Sequence, residues 1–288
     1  MKRVGLLAMG LCALGLVLYG CASTPDSGPA ELRLRYESNA EGTAFVNTAP
    51  PDGNTYTAKL VDGATIVEEN SFKVIDLGGE PSGNRVTVGW NEVDTIDEYV
   101  NVGYVDLGAE TGALLQSLPT FSIETYVWVP ADYDYLAIGN FFMSFSNGRD
   151  PGNSMWFSAR HTSFHVILNG IDQFVFNAQD AIVPDDGYGS FIPYSGSWAH
   201  LVVVKDSWNT IIYVNGVQVA FGPIQIRSTS YKGNTLTANY LGKSCYPPDY
   251  PLHNAKFHSF SIYSGALSAK EVATLYAEGP LAKLNEGN

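Results

Sequence analysis

The chain has 288 residues, 45% hydrophobic and 16% charged, and its 29 acidic side chains outnumber 16 basic ones for a net charge of −13. Hydrophobic content at that level argues against intrinsic disorder, and 29 glycines fall far short of the one in three a collagen needs. Phosphate backbones are bound mainly through Lys and Arg, so an acidic chain is not expected to bind nucleic acid.

Lys2 and Arg3 precede an apolar run over residues 4–18, and the small Gly20 stands directly before Cys21. A charged start, a short apolar middle and a small residue at the cut predict an export signal over residues 1–20. The stretch Leu18-Tyr19-Gly20-Cys21 resembles the lipobox of bacterial lipoproteins, with Tyr19 bulkier than the residue usual at its position. That resemblance implies an acylated Cys21 at the head of the mature chain, whose net charge falls to −15 once Lys2 and Arg3 are removed. Two or three acyl chains hold a protein to a membrane without a basic patch, so the expected location is the cell envelope, at the outer membrane or cell surface. Residues 21–31 then read as a flexible tether, because 23–30 are small, polar and Pro-bearing. One domain is expected over 32–280, with a tail over 281–288. Cys245 is the only other cysteine left after export, which excludes a disulfide framework, and it reads as incidental.

From residue 32 onward, short apolar runs alternate with turn residues: 32–36, 56–60, 72–77, 99–105, 121–129 and 201–205. Runs of that length rich in Val, Ile, Tyr and Phe predict strands. Asn169-Gly170 and Asn215-Gly216 each separate two such runs, and both residue types tolerate the positive φ of a two-residue hairpin turn. Antiparallel sheet is therefore expected. Only one helix is expected, near the end, where Ser268-Ala269-Lys270-Glu271 forms a capping box, Val272, Leu275 and Tyr276 share one face, and Gly279-Pro280 stops the turn.

Several of these stretches, in this order, resemble the laminin G-like modules of the concanavalin A-like lectin/glucanase superfamily. The carriers are Tyr104-Val105-Asp106-Leu107-Gly108, Phe121-Ser122-Ile123-Glu124-Thr125-Tyr126-Val127-Trp128 and Gly196-Ser197-Trp198-Ala199-His200-Leu201, followed by Tyr213-Val214-Asn215-Gly216, Tyr240-Leu241-Gly242-Lys243-Ser244 and Phe260-Ser261-Ile262-Tyr263. The resemblance implies an all-β jelly-roll sandwich of two antiparallel sheets with a short C-terminal helix. It also implies a role in binding a glycan or a cell-surface protein. Some members place a calcium ion before the penultimate strand. Here that point reads Asn254-Ala255-Lys256-Phe257-His258-Ser259, without the carboxylates such an ion wants, so structural calcium stays an open expectation. Asp132 with Asp134, and Asp180 with Asp185 and Asp186, read as solvated loop residues.

Enzymes of the superfamily carry Glu-x-Asp-x-x-Glu on a strand, which makes Glu92, Asp94 and Asp97 the residues to weigh for glycoside hydrolysis. Asp97 stands where the second Glu belongs, and the segment falls too early in the module, so an acidic surface loop is the preferred reading. His161 and His165 are four apart but lack the Glu of a zinc-protease helix, and His200 reads as a packed structural residue. No catalytic residue is assigned. A sugar site instead needs aromatic faces with polar partners. Trp156, Tyr188, Trp208, Tyr246 and Tyr250 supply the former, and Asn153, Asp249 and Asn254 the latter. The loop Tyr246-Pro247-Pro248-Asp249-Tyr250-Pro251 leads these candidates, because proline stiffening lowers the entropy lost on binding. The function expected is a non-catalytic binding module, with a glycosidase or a structural subunit of an envelope complex as alternatives.

Overall fold

The computed structural model describes residues 29–49, 56–79, 82, 99–131, 139–148, 152–159, 162–177, 195–231, 233–247 and 249–286. The signal, Cys21, most of the tether, Tyr188, His161, Glu92, Asp94, Asp97 and the Asp132, Asp134, Asp180, Asp185 and Asp186 groups lie outside the described residues.

The described chain forms β1 (Glu31–Ser38), β2 (Phe45–Asn47), β3 (Thr57–Val61), β4 (Thr65–Glu69), β5 (Phe72–Asp76), β6 (Tyr104–Asp106) and α1 (Gly108–Ser117). Then come β7 (Phe121–Trp128), β8 (Phe141–Ser146), β9 (Ser154–Ser158), β10 (Ser163–Leu168), β11 (Ile171–Val175), β12 (Trp198–Lys205), β13 (Asn209–Val214) and β14 (Val217–Pro223). It closes with β15 (Ala238–Leu241), β16 (Lys256–Ser264), α2 (Ala269–Glu278) and α3 (Leu281–Leu284). Sheet A runs β2-β1-β16-β7-β12-β13-β14, sheet B runs β3-β6-β15-β8-β9-β10-β11, and the β2–β3 pairing joins them. The β4–β5 hairpin attaches to β16 through Lys256↔Asp76 and Phe257↔Ile75. This is the expected all-β jelly roll.

Between the sheets lies a core that includes Tyr36, Phe45, Ile123, Val127, Phe145, Phe157, Phe164, Val203, Phe257 and Phe260. Each fully buried side chain of this size contributes about 1.5–3 kcal/mol. Both asparagine-glycine turns form as expected, with Asn169 and Gly170 at φ 52° and 76° and Asn215 and Gly216 at 50° and 77°.

Sheet A is covered on its outer face too, which is why seven of the eight β7 residues are buried. Ile123 and Val127 face sheet B, while Tyr126 points out under the C-terminal helices. Val272 of α2 packs on Val202, Val204, Tyr213 and Tyr263, and Leu281 and Leu284 of α3 pack on Val74, Tyr126 and Trp198. The capping box of α2 is present as read: Ser268 Oγ accepts from Glu271 N at 3.2 Å, and Ser268 N donates to Glu271 Oε2 at 2.7 Å.

Three expectations need correction. The stretch 281–288 is not a tail as far as Glu286, because Pro280 opens α3 and Asn285 clamps β12, its Oδ1 accepting from Trp198 N at 2.8 Å. The end helix is not the only one, since Ala109, Glu110, Ala113, Leu114, Leu115 and Gln116 are strong helix formers and build α1. Its two glycines disguise it; at Gly112 a Cβ would stand 2.1 Å from Leu236 O, so packing there demands glycine. Of the strand expected over 99–105 only β6 forms, and Tyr99 and Val102 instead pack with Tyr250 beside the sheet.

Candidate functional site

The two outer faces differ. Sheet A lies under α2 and α3, whereas neither helix packs on sheet B. In the outer face of sheet B, direct register partners run from edge to edge: Lys59↔Asp106, Asp106↔Tyr240, Tyr240↔Ser144, Ser144↔Trp156, Trp156↔His165 and His165↔Phe174. Residues opposite one another in a ladder share a face, so one row crosses seven strands and spans about 29 Å at the usual strand spacing.

At the β9–β11 end the row is a ladder of rings. Trp156 and His165 lie 3.6 Å apart and 13° from parallel, His165 and Phe174 are 4.8 Å apart at 15°, and Phe141 meets Trp156 edge-on at 4.8 Å. His165 Nδ1 is held by Asp172 Oδ2 at 2.9 Å, which fixes the imidazole plane. The ladder ends in solvent at Phe174, 51% exposed, with Phe176 beside it at 43%.

The middle of the face is roofed by the loop between β15 and β16. Ser144 Oγ donates to Lys243 O at 3.0 Å, Ser146 Oγ donates to Ala238 O at 3.3 Å, and burial pushes the Cys245 thiol up. Tyr246 N donates to Ser244 Oγ at 2.9 Å, and Asp249 N to Tyr246 O at 3.1 Å, so the loop is tightly turned. Its Tyr246 ring is 42% exposed. Burial raises the Asp249 carboxyl to about 6, although a hydrogen bond with Ser244 favours the charged form. Tyr250 is buried, with its hydroxyl 3.1 Å from His253 Nε2 and its ring edge-on to Tyr99 at 5.2 Å. It pins the loop, and its ring is not open to a ligand as the sequence led us to expect.

At the β6–β3 end, Tyr104 and Tyr240 meet edge-on at 5.1 Å, and Lys243 Nζ sits 4.5 Å and 5.5 Å from their ring centres. Burial pushes the Tyr104 hydroxyl up to about 12, helped by Tyr240 and Asp106.

The structure therefore brings Trp156, Tyr246 and Asp249 to one face. Trp208 belongs elsewhere, in the β12–β13 turn of sheet A, 55% exposed with Arg227 5.3 Å from its ring centre. Asn153 is a structural partner whose Oδ1 accepts from Asn169 N at 3.1 Å, and Asn254 is exposed in the turn before β16. Phe174, Phe176, Tyr104 and Tyr240 escaped the sequence reading. Their alternation was visible, but the register that aligns them was not. Among the described residues no group of three His, Cys, Asp or Glu side chains is placed to hold a metal. His200, read as structural, is fully buried, with its Nε2 3.1 Å from Glu124 Oε1.

The family model described as the concanavalin A-like lectin/glucanases superfamily matches residues 97–273. The chain belongs to this superfamily. Among solved structures it is similar to domain 4 of AbnA, a GH43 extracellular arabinanase from Geobacillus stearothermophilus, in complex with arabinotriose. That match has 15% identity and a TM-score of 0.54, and covers 86% of this chain and 99% of that one. It is similar as well to the binding domain of botulinum neurotoxin DC, solved in complex with SialylT (13%, TM-score 0.54) and with rat synaptotagmin II (13%, TM-score 0.53). Each of these covers 86% of this chain and 51% of that one, so the chain spans about half the length of the toxin binding domain. At these identities the likeness is one of fold. No curated protein sequence matches this one.

Proposed function

We propose that this protein is an exported, lipid-anchored, non-catalytic module that binds a glycan across the outer face of sheet B. The observation that carries the reading is the edge-to-edge row from Lys59 to Phe174, which lines up the carboxylate of Asp106, the half-buried rings of Tyr240, Trp156 and His165, and the exposed ring of Phe174 on a face that α2 and α3 leave uncovered. Apolar ring edges and faces next to well-held polar groups suit the C–H surfaces and hydroxyls of a sugar chain. Support of a coarser kind comes from the fold, since AbnA domain 4 was solved with arabinotriose and a toxin binding domain with SialylT. Phe174 and Tyr246 supply the open contacts, Trp156 and His165 hold Phe174 upright, and Asp249 sets the loop.

The test is a glycan array probed with the mature chain carrying Cys21→Ser, first with calcium and then with chelator. Binding lost in Phe174→Ala and Tyr246→Ala supports the reading, and loss with chelator alone adds a structural calcium. Anchoring is tested separately by labelling cells with radioactive palmitate, which marks the wild-type chain and not Cys21→Ala.

A protein ligand is the second reading. Ile171, Phe174 and Phe176 are all exposed at or beside one edge strand, and the toxin binding domain was also solved with synaptotagmin II. A blank array from folded protein, with a partner captured by wild type and lost in Phe174→Ala, would favour it. Hydrolysis of an array glycan that vanishes in Glu92→Gln would instead establish the glycosidase.

A further inference from the structure

Beyond Tyr240 the outer row of sheet B runs into a cleft of about 400 Å³ between β3, β6 and the start of α1. Its lining includes Tyr56, Thr57, Lys59, Asp106, Glu110 and Thr237. That volume falls within the range of small-molecule sites. Asp106 Oδ1 accepts from Gly108 N at 2.9 Å, which fixes the carboxylate. Among the described residues the Lys59 ammonium and the Glu110 carboxylate form no ion pair, and the Thr57 and Thr237 hydroxyls form no hydrogen bond. The cleft thus holds a cationic donor, two carboxylates and two hydroxyls with most of their hydrogen-bonding capacity uncommitted, beside the Tyr56 ring.

The composition of the lining selects the ligand. Two carboxylates against one lysine disfavour phosphate, sulfate or a uronic acid. The polar lining disfavours a lipid tail, and the space is too small for a folded partner. An uncharged ring bearing several hydroxyls, each able to donate to a carboxylate and accept from Lys59, matches both size and chemistry. Asp106 belongs to the cleft and, as register partner of Tyr240, to the row.

We infer that this cleft is the terminal subsite of the face, holding a single neutral sugar ring at one end of the glycan. The inference rests on the glycan reading above for its ligand class, and is carried by the cleft itself. It makes the protein a reader of chain ends, whereas an open face alone grips any internal stretch.

The experiment is two-dimensional amide NMR of the mature Cys21→Ser chain titrated with L-arabinose, D-xylose, D-glucose and D-galactose, and separately with inorganic phosphate. A saturable shift of the Gly108, Ala109 and Glu110 amides with at least one sugar, and none with phosphate, is the expected result. Lys59→Ala combined with Glu110→Gln should weaken that affinity at least tenfold while leaving the thermal midpoint unchanged, because both side chains are exposed. Sugar-induced shifts near Phe174 and Tyr246 with the cleft silent would overturn the subsite and leave the face. Shifts in the cleft with the face silent would uphold the subsite and remove the face. Phosphate binding equal to sugar binding, or silence throughout, would overturn the inference.

Discussion

Trp156 and His165 stand face to face on neighbouring strands, 3.6 Å apart and 13° from parallel, and Phe174 continues the stack into solvent. The inner rings are therefore supports and the outermost one is the contact. Phe174→Ala should cut glycan binding about tenfold, in line with the 0.5–1.5 kcal/mol of an aromatic contact, and change stability by about 0.5 kcal/mol or less. Trp156→Ala should cost about 2 kcal/mol or more in urea denaturation, because it removes a half-buried ring wedged between Phe141 and His165. Equal stability losses in the two variants would contradict this division.

Glu124 sits fully buried under α2, accepting from Tyr263 at 2.7 Å, and from His200 and Arg35 at 3.1 Å each. Burial by itself would raise its carboxyl; His200, Tyr263 and Arg35 outweigh that and hold it below the usual range. A depressed carboxyl contributes stability that is complete above the unfolded value of about 4.3 and is lost as pH falls through the folded one. Glu124→Gln should destabilise the fold by about 3 kcal/mol at pH 7, because it leaves the half-buried Arg35 guanidinium without its counter-charge. Chemical denaturation should show the gap narrowing as the pH is lowered.

Asp249 behaves oppositely. Its carboxyl, raised by burial to about 6, favours the folded state most below about pH 4, and that stabilisation fades as pH rises through 6. Asp249→Asn should match wild type near pH 4 and exceed it by about 1–2 kcal/mol near pH 8, allowing for solvent screening of a group that is not fully buried. Thermal midpoints at the two pH values check this, and a constant difference would rule it out.

Leu284 is fully buried against Val74 of β5 and Trp198 of β12, and Asn285, next to it in sequence, clamps the Trp198 backbone. Leu284→Ala should cost about 2–5 kcal/mol, the range of a core leucine truncation. A disposable tail would show no change in denaturation midpoint.

Local chemistry made a good part of this fold legible. The asparagine-glycine pairs fixed two hairpins because those residues accept positive φ, and the Ser268–Glu271 box fixed the start of α2 because it supplies both partners for free amides. Short β-rich runs placed β1, β7 and β12, whose side chains alternate between two buried surfaces or one buried and one open. The ordered pieces from Tyr104 to Tyr263 carried the superfamily resemblance, and the family match over 97–273 agrees with them.

What distance along the chain separates, only the folded sheets could join. Trp156 meets His165 and Phe174 because three strands share one register, and a slip of one residue would send each ring to the opposite face. Helix α1 escaped notice because the need for Gly112 arises from Leu236, far away in sequence. Tyr250 looked like an open ring until tertiary packing buried it against Tyr99, and the network around Glu124 exists only because the sheet brings Arg35, His200 and Tyr263 together on it. Sequence determined the class of fold through local backbone preference; the choice of open face, and so of candidate site, came from which surface the C-terminal helices covered.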